Sequence, residues 1–179
     1  QYDPVRHCVY AVCETHVQED QEARASLVRV DLSNDSKDQI AMLATGRDFY
    51  ASPRLSPDGK QLVWLCWDHP NMPWDGCELW ALDLTTQEAP TYLAGGEQES
   101  LFQPQFAPNG QLYVVSDRYE GWWNIHRVDE QGLQAITQEQ AEFGLPQWVF
   151  GQSTYVFDAR GRLYSLFTRD GLWQLARIN

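Results

Sequence analysis

Lysine is almost missing from this sequence. Only Lys37 and Lys60 occur, Lys plus Arg total 13 against 25 Asp plus Glu, and the net charge is −12. A surface that tracks phosphates needs clustered Lys and Arg, and no basic stripe is present, so nucleic acid is not expected as a partner. The acidity reads as a solvated surface in a cytoplasmic protein. No apolar run approaches the length of a membrane span, and no charged-then-apolar leader opens the chain, so no membrane partner is expected. Cysteine is scarce too: Cys8, Cys13, Cys66 and Cys77 are scattered and form no disulfide framework. The pairs His7-Cys8 and Cys13-x-x-His16 hint at zinc. In an extended strand, however, Cys8 and Cys13 face opposite sides, and a structural zinc site needs four converging ligands. These cysteines are read as small strand residues, with no metal and no cofactor expected.

Apolar material is ample. Hydrophobic residues make up 43% of 179 and aromatics 13%, with eight Trp, which is enough for one buried domain. The chain opens at Gln1 rather than Met, with a strand expected almost at once, so a piece of a longer polypeptide is expected, its targeting information lost with the missing start.

An internal repeat carries the fold. One copy reads Ser52-Pro53-Arg54-Leu55-Ser56-Pro57-Asp58-Gly59, followed by an apolar run from Leu62 to Trp67. A second reads Gln103-Pro104-Gln105-Phe106-Ala107-Pro108-Asn109-Gly110, followed by Leu112 to Val115. A weaker third copy is taken as Leu145-Pro146-Gln147-Trp148-Val149-Phe150-Gly151, followed by Thr154 to Phe157. Pro-Asp-Gly and Pro-Asn-Gly are turn formers, because Pro presets its φ while Gly, Asn and Asp accept positive φ. Each therefore joins two strands as a hairpin. Third strands follow at 26–32, 78–84, 124–129 and 162–166, and fourth strands at 91–94 and 134–137.

Four short antiparallel strands per unit make the blade of a β-propeller. The runs Val9 to Cys13 and Leu62 to Trp67 are apolar on both faces, as a strand in a blade stacked between two neighbours must be. No stretch of ten residues shows helical periodicity. The expected fold is all-β: a propeller segment of about four blades at 1–46, 47–96, 97–140 and 141–179, the first incomplete. Apolar faces at its ends are expected to be covered by a second copy, which makes a homo-oligomer.

Loops between second and third strands fall on the same face as the linkers between blades. One is long and rich in rings: Asp68-His69-Pro70-Asn71-Met72-Pro73-Trp74-Asp75-Gly76, next to Trp67. Its counterpart one blade on reads Asp117-Arg118-Tyr119-Glu120-Gly121-Trp122-Trp123. Trp67, Asp68, His69, Asn71, Met72, Trp74, Asp75, Arg118, Tyr119, Glu120, Trp122 and Trp123 are therefore the candidate residues for a rim that meets another domain or a substrate. The same tryptophans serve equally as plugs that seal the blade ends. His69 reads as a hydrogen-bonded structural histidine, because no carboxylate and nucleophile surround it in sequence.

The run Ser52 to Lys60 continuing through Trp67 to Gly76, with Ser116-Asp117-Arg118 and Gly121-Trp122-Trp123-Asn124, resembles the propeller of acylaminoacyl-peptidase and dipeptidyl-aminopeptidase-like enzymes of the prolyl oligopeptidase family. The Asp68 to Gly76 loop is the specific part, and the resemblance covers most of 46–130. It implies a parent serine peptidase in which this propeller gates peptide access to a C-terminal α/β-hydrolase domain, its partner. No catalytic residue carries over. The Gly-x-Ser-x-Gly turn that would present a nucleophile is absent from the 179 residues. The competing expectation is a freestanding TolB-type propeller that serves as a protein-interaction platform.

Overall fold

The structure, a computed structural model, describes residues 1–16, 22–33, 39–86 and 88–179. Among these residues every regular element is a β-strand, in four antiparallel sheets. The first sheet holds β1 (Tyr2–Asp3), β2 (Cys8–Thr15), β3 (Arg24–Asp31) and β4 (Ile40–Thr45). The second holds β5 (Phe49–Leu55), β6 (Gln61–Trp67), β7 (Glu78–Asp83) and β8 (Thr91–Gly95). The third holds β9 (Leu101–Phe106), β10 (Leu112–Tyr119), β11 (Trp122–Asp129) and β12 (Gly132–Ala135), and the last β13 (Tyr155–Phe157), β14 (Leu163–Arg169) and β15 (Leu172–Ile178). Strand order in each sheet follows the chain, as expected of propeller blades.

The two-sided strands explain the stacking. In β6, Leu62, Trp64 and Cys66 point into a core shared with Cys8, Tyr10 and Leu27 of the first sheet. The alternate residues Val63 and Leu65 point the other way, onto Leu101, Leu112 and Val114 of the third. A third core joins Phe102, Val115 and Ile125 to Tyr155, Leu163 and Phe167 of the last sheet. The strand period of two thus delivers one face to each neighbour.

Three expectations need correction. The stretch Leu145 to Gly151 forms no strand, and the innermost strand of the last sheet is β13. The recurring turn is marked instead by Gly59, Gly110 and Gly161, all at positive φ and a constant 51 residues apart. In each turn the glycine N–H donates to the carbonyl three residues back, at 2.9 Å: Ser56, Ala107 and Asp158. Residues 162–166 accordingly belong to the second strand of the last sheet, not its third. The first sheet does contain an innermost strand, cut short to the two residues of β1, and the three-stranded sheet is the last.

The inner strands are bulged at matching places. Ser52 and Gln103 both take φ of 51°, beside register shifts in the pairing of β5 with β6 and of β9 with β10. The bulge at Gln103 turns its buried amide toward the next blade. Nε2 donates to the Tyr155 carbonyl at 2.7 Å, and Oε1 accepts the Thr154 N–H at 2.7 Å. At the two ends of the stack apolar side chains lie exposed: Ile40 and Met42 on the first sheet, and Val156, Leu172, Trp173 and Leu175 on the last.

Candidate functional site

The chain reverses at one face through the glycine turns just described and at the opposite face through the β6–β7 loop and the connections between blades. Hydrogen bonds tie these rim segments together. Asp68, at the end of β6, accepts the Asp48 N–H at 2.8 Å and an Arg47 guanidinium N–H at 2.6 Å. Arg47 also reaches Glu78 at the start of β7. Asp48 in turn accepts the His69 N–H at 2.9 Å, and its carboxylate lies 3.0 Å from His69 Nδ1. These backbone and side-chain hydrogen bonds from His69 hold the Asp48 carboxyl below its usual range. His69 precedes a cis proline, Pro70, and its ring rests on Phe49, which stacks on Trp67 at 5.3 Å between centroids. The histidine is therefore a structural clasp, its carboxylate supplied by a blade linker and invisible to a reading of sequence neighbours.

The rest of the loop is anchored as firmly. Asn71 donates to the Glu97 carbonyl at 2.8 Å, and the Met72 N–H donates to Asp75 at 2.9 Å. Ser100 Oγ donates to the Pro73 carbonyl at 3.0 Å. Gly76 lies so close to the next linker that a Cβ there would stand 2.4 Å from the Glu97 carbonyl oxygen. Met72 and Asp75 remain exposed on the loop's outer side.

The counterpart in the third sheet is not a loop. The strands β10 and β11 run to Tyr119 and from Trp122, so only Glu120 and Gly121 turn, with φ of 51° and 79°. Two positive φ values in succession suit a tight hairpin whose twist matches the strands. Arg118 on β10 makes a two-pronged ion pair with Glu99, 2.9 Å at each contact. Burial pushes the Glu99 carboxyl up, but the hydrogen bonds from Arg118 and Ser116 outweigh it and leave it below the usual range. Tyr119 and Trp122 face each other at the hairpin end, half-buried, and Glu120 is exposed at its tip. Trp123 lies parallel to Phe102, and a Cβ at Gly144 would collide with its ring at 2.6 Å.

Six of the twelve candidates thus divide between two clefts, and Met72, Asp75, Arg118, Tyr119, Glu120 and Trp122 line neither. Trp67, Asp68, His69 and Asn71 line one of about 430 Å³, beside Glu78 and Glu97. Trp74 and Trp123 line a second of about 600 Å³, between the third and last sheets, with Asp117, Glu142, Leu145 and Trp148. Trp148, from the connection into the last blade, meets Trp74 at 4.4 Å between ring centroids. Sequence reasoning nominated loop tips and missed the linker residues Arg47, Asp48, Glu97, Glu142 and Trp148. The topology had already placed inter-blade linkers on this face, so position in the repeat was the available signal.

No protein-family model and no curated protein matches the chain. Solved structures do. A puromycin hydrolase variant complexed with PGG superposes with a TM-score of 0.89 at 33% identity, covering 99% of this chain and 28% of that one. A puromycin-hydrolyzing peptidase of Mycobacterium tuberculosis gives 0.87 at 34% identity, with 99% and 28% covered. TolB from Acinetobacter baumannii gives 0.64 at 17% identity over 99% of this chain and 40% of that one, a likeness of fold alone. The chain spans less than a third of the length of the puromycin hydrolases it matches. Matched over nearly all its residues to peptidases of this kind, the chain belongs to the prolyl oligopeptidase family as a segment of its β-propeller.

Proposed function

We propose that this segment is the non-catalytic gate of a serine peptidase, limiting by its ring which peptides reach an α/β-hydrolase domain that sits on the rim carrying Trp74, Trp123 and Trp148. The observation that carries the reading is the match to puromycin hydrolases across 99% of the chain at 33% identity. The rim chemistry fits: preorganised aromatic side chains next to fixed charges suit a protein interface. The TolB platform reading rests on a weaker likeness, 17% identity, and is the second choice. A cytoplasmic setting belongs to the same proposal and is supported by four free cysteine thiols. So does a second copy over the exposed end sheets, testable by sedimentation of the chain alone.

Release of a chromogenic amine from aminoacyl and acylaminoacyl substrates tests the reading, assayed with this chain and with the full polypeptide that contains it. Hydrolysis is expected from the full polypeptide and none from the chain. Turnover by the chain, or none by the full polypeptide, would overturn it.

A further inference from the structure

Arg54 stands where an unpaired charge is costly. It lies on β5, the innermost strand of the second sheet, and is half-buried. Among the described residues its guanidinium donates only to the carbonyl of its own neighbour, Pro53, at 3.0 Å. The other partly buried arginines all reach a carboxylate: Arg6 meets Asp3, Arg47 meets Asp68 and Glu78, Arg127 meets Asp129, and Arg169 meets Glu139. Burial lowers the Arg54 guanidinium from its usual range, and the Tyr155 phenol is the one nearby group that opposes the shift. A second cation borders the same space, the Gln1 ammonium, lowered by burial and further by the charge of Arg54.

The space is a cleft of about 280 Å³ between the first sheet, the strand β5 and the linker into the last blade. Val9 and Val12 of β2, Pro53 of β5 and Phe150 of the linker line it, and no Asp or Glu among the described residues does. A half-buried guanidinium without an acceptor lacks one thing, a carboxylate, which matches its planar fork with two parallel N–H···O bonds. The net charge of −12 repels polyanions at a distance, yet screening over about 10 Å lets a single carboxylate respond to the local cation.

We infer that this cleft binds an organic carboxylate joined to an aromatic or bulky apolar group, with Arg54 holding the carboxylate and Phe150, Val9 and Val12 covering the apolar part. The carboxyl end of a peptide and an acidic side chain beside an aromatic one both carry that chemistry. Inorganic phosphate would leave the apolar walls unused, and a neutral apolar group would leave Arg54 unpaired. The inference stands apart from the peptidase reading, since binding to this chain requires no hydrolysis.

The test is calorimetric titration of the chain with N-acetylphenylalanine, anionic at neutral pH, and with neutral N-acetylphenylalaninamide. The anion is expected to bind about tenfold tighter or better, the size expected of hydrogen bonds to a charged group. Arg54→Met, which keeps the apolar stem, is expected to lose most of that preference, and Arg54→Lys, which keeps the charge without the fork, to retain part of it. Acetylation of the Gln1 amine is expected to leave the preference in place. N-acetylglutamyl-phenylalaninamide separates the two sources: tighter binding than N-acetylphenylalanine assigns the site to acidic side chains, weaker binding to peptide carboxyl ends. Equal affinity for the first two probes, no saturable binding of the anion, a preference undiminished in folded Arg54→Met, or one lost on acetylation of Gln1 would overturn the inference. None of these outcomes bears on whether a longer polypeptide is a peptidase.

Discussion

Two segments of the same rim, 68–76 and 144–152, both combine proline with aromatic rings, and they are built in opposite ways. The first is held by a hydrogen bond from His69 to Asp48, by those that Asn71 and Ser100 donate, and by the close contact at Gly76. The second leaves Trp148, Val149 and Phe150 at 72%, 64% and 68% exposure, and few hydrogen bonds tie it down, such as that from Gln147 to the Leu101 carbonyl at 3.1 Å. Adjacent exposed apolar side chains of that kind mark a surface with a use. The contrast teaches that a ring-rich loop is not by itself a binding surface. The 68–76 loop spends its polar groups on internal structure, and the apolar surface left over lies on the linker facing it.

Substitutions can break that contrast. The largest effect is expected at Gly76→Ala, where the added methyl would meet backbone at 2.4 Å. Because backbone cannot step aside as a side chain can, a loss of about 3 kcal/mol or more is expected in urea unfolding. A result below about 1 kcal/mol would mean that the loop is not anchored.

A middle-sized effect is expected at Arg118→Met, and it should depend on pH. The Glu99 carboxyl is lower in the folded chain than in the unfolded one, so its contribution is present above the unfolded value near 4.5 and is lost as pH falls through the folded value. At neutral pH, Arg118→Met is expected to cost about 1 kcal/mol, an amount kept small because the arginine is partly exposed. Below pH about 4 the gap from the natural chain should shrink, since Glu99 is then protonated in the unfolded state and increasingly so in the folded one. A gap that stays constant across this window would mean that the pair does not carry the effect. The smallest change is expected at Trp148→Ala, within about 0.5 kcal/mol by the same unfolding measurement, as for other exposed positions.

Much of the fold was legible because turns carry their own chemistry. Pro57-Asp58-Gly59 and Pro108-Asn109-Gly110 announce a hairpin with positive φ at the last position, and the strands behind them are apolar on both faces. The last blade was misread because its turn, Asp158-Ala159-Arg160-Gly161, has no proline, whereas Pro146 offered a false copy 42 residues after Pro104. Only glycine is obligatory in that turn, and glycine alone is a thin signal. The site was legible in half. Ring-rich stretches near Trp74 and Trp123 were visible, but pairing Asp48 with His69 or Trp74 with Trp148 requires the stacking of blades, which brings together residues 21 and 74 positions apart.

Amide hydrogen exchange, compared between this chain alone and the longer peptidase proposed to contain it, tests the rim assignment most directly. Residues 146–151 are expected to gain protection in the full polypeptide, while the opposite-face turns at 57–60 and 108–111 exchange equally in both. Unchanged exchange at 146–151, or a gain confined to the opposite turns, would contradict a hydrolase domain seated on this rim.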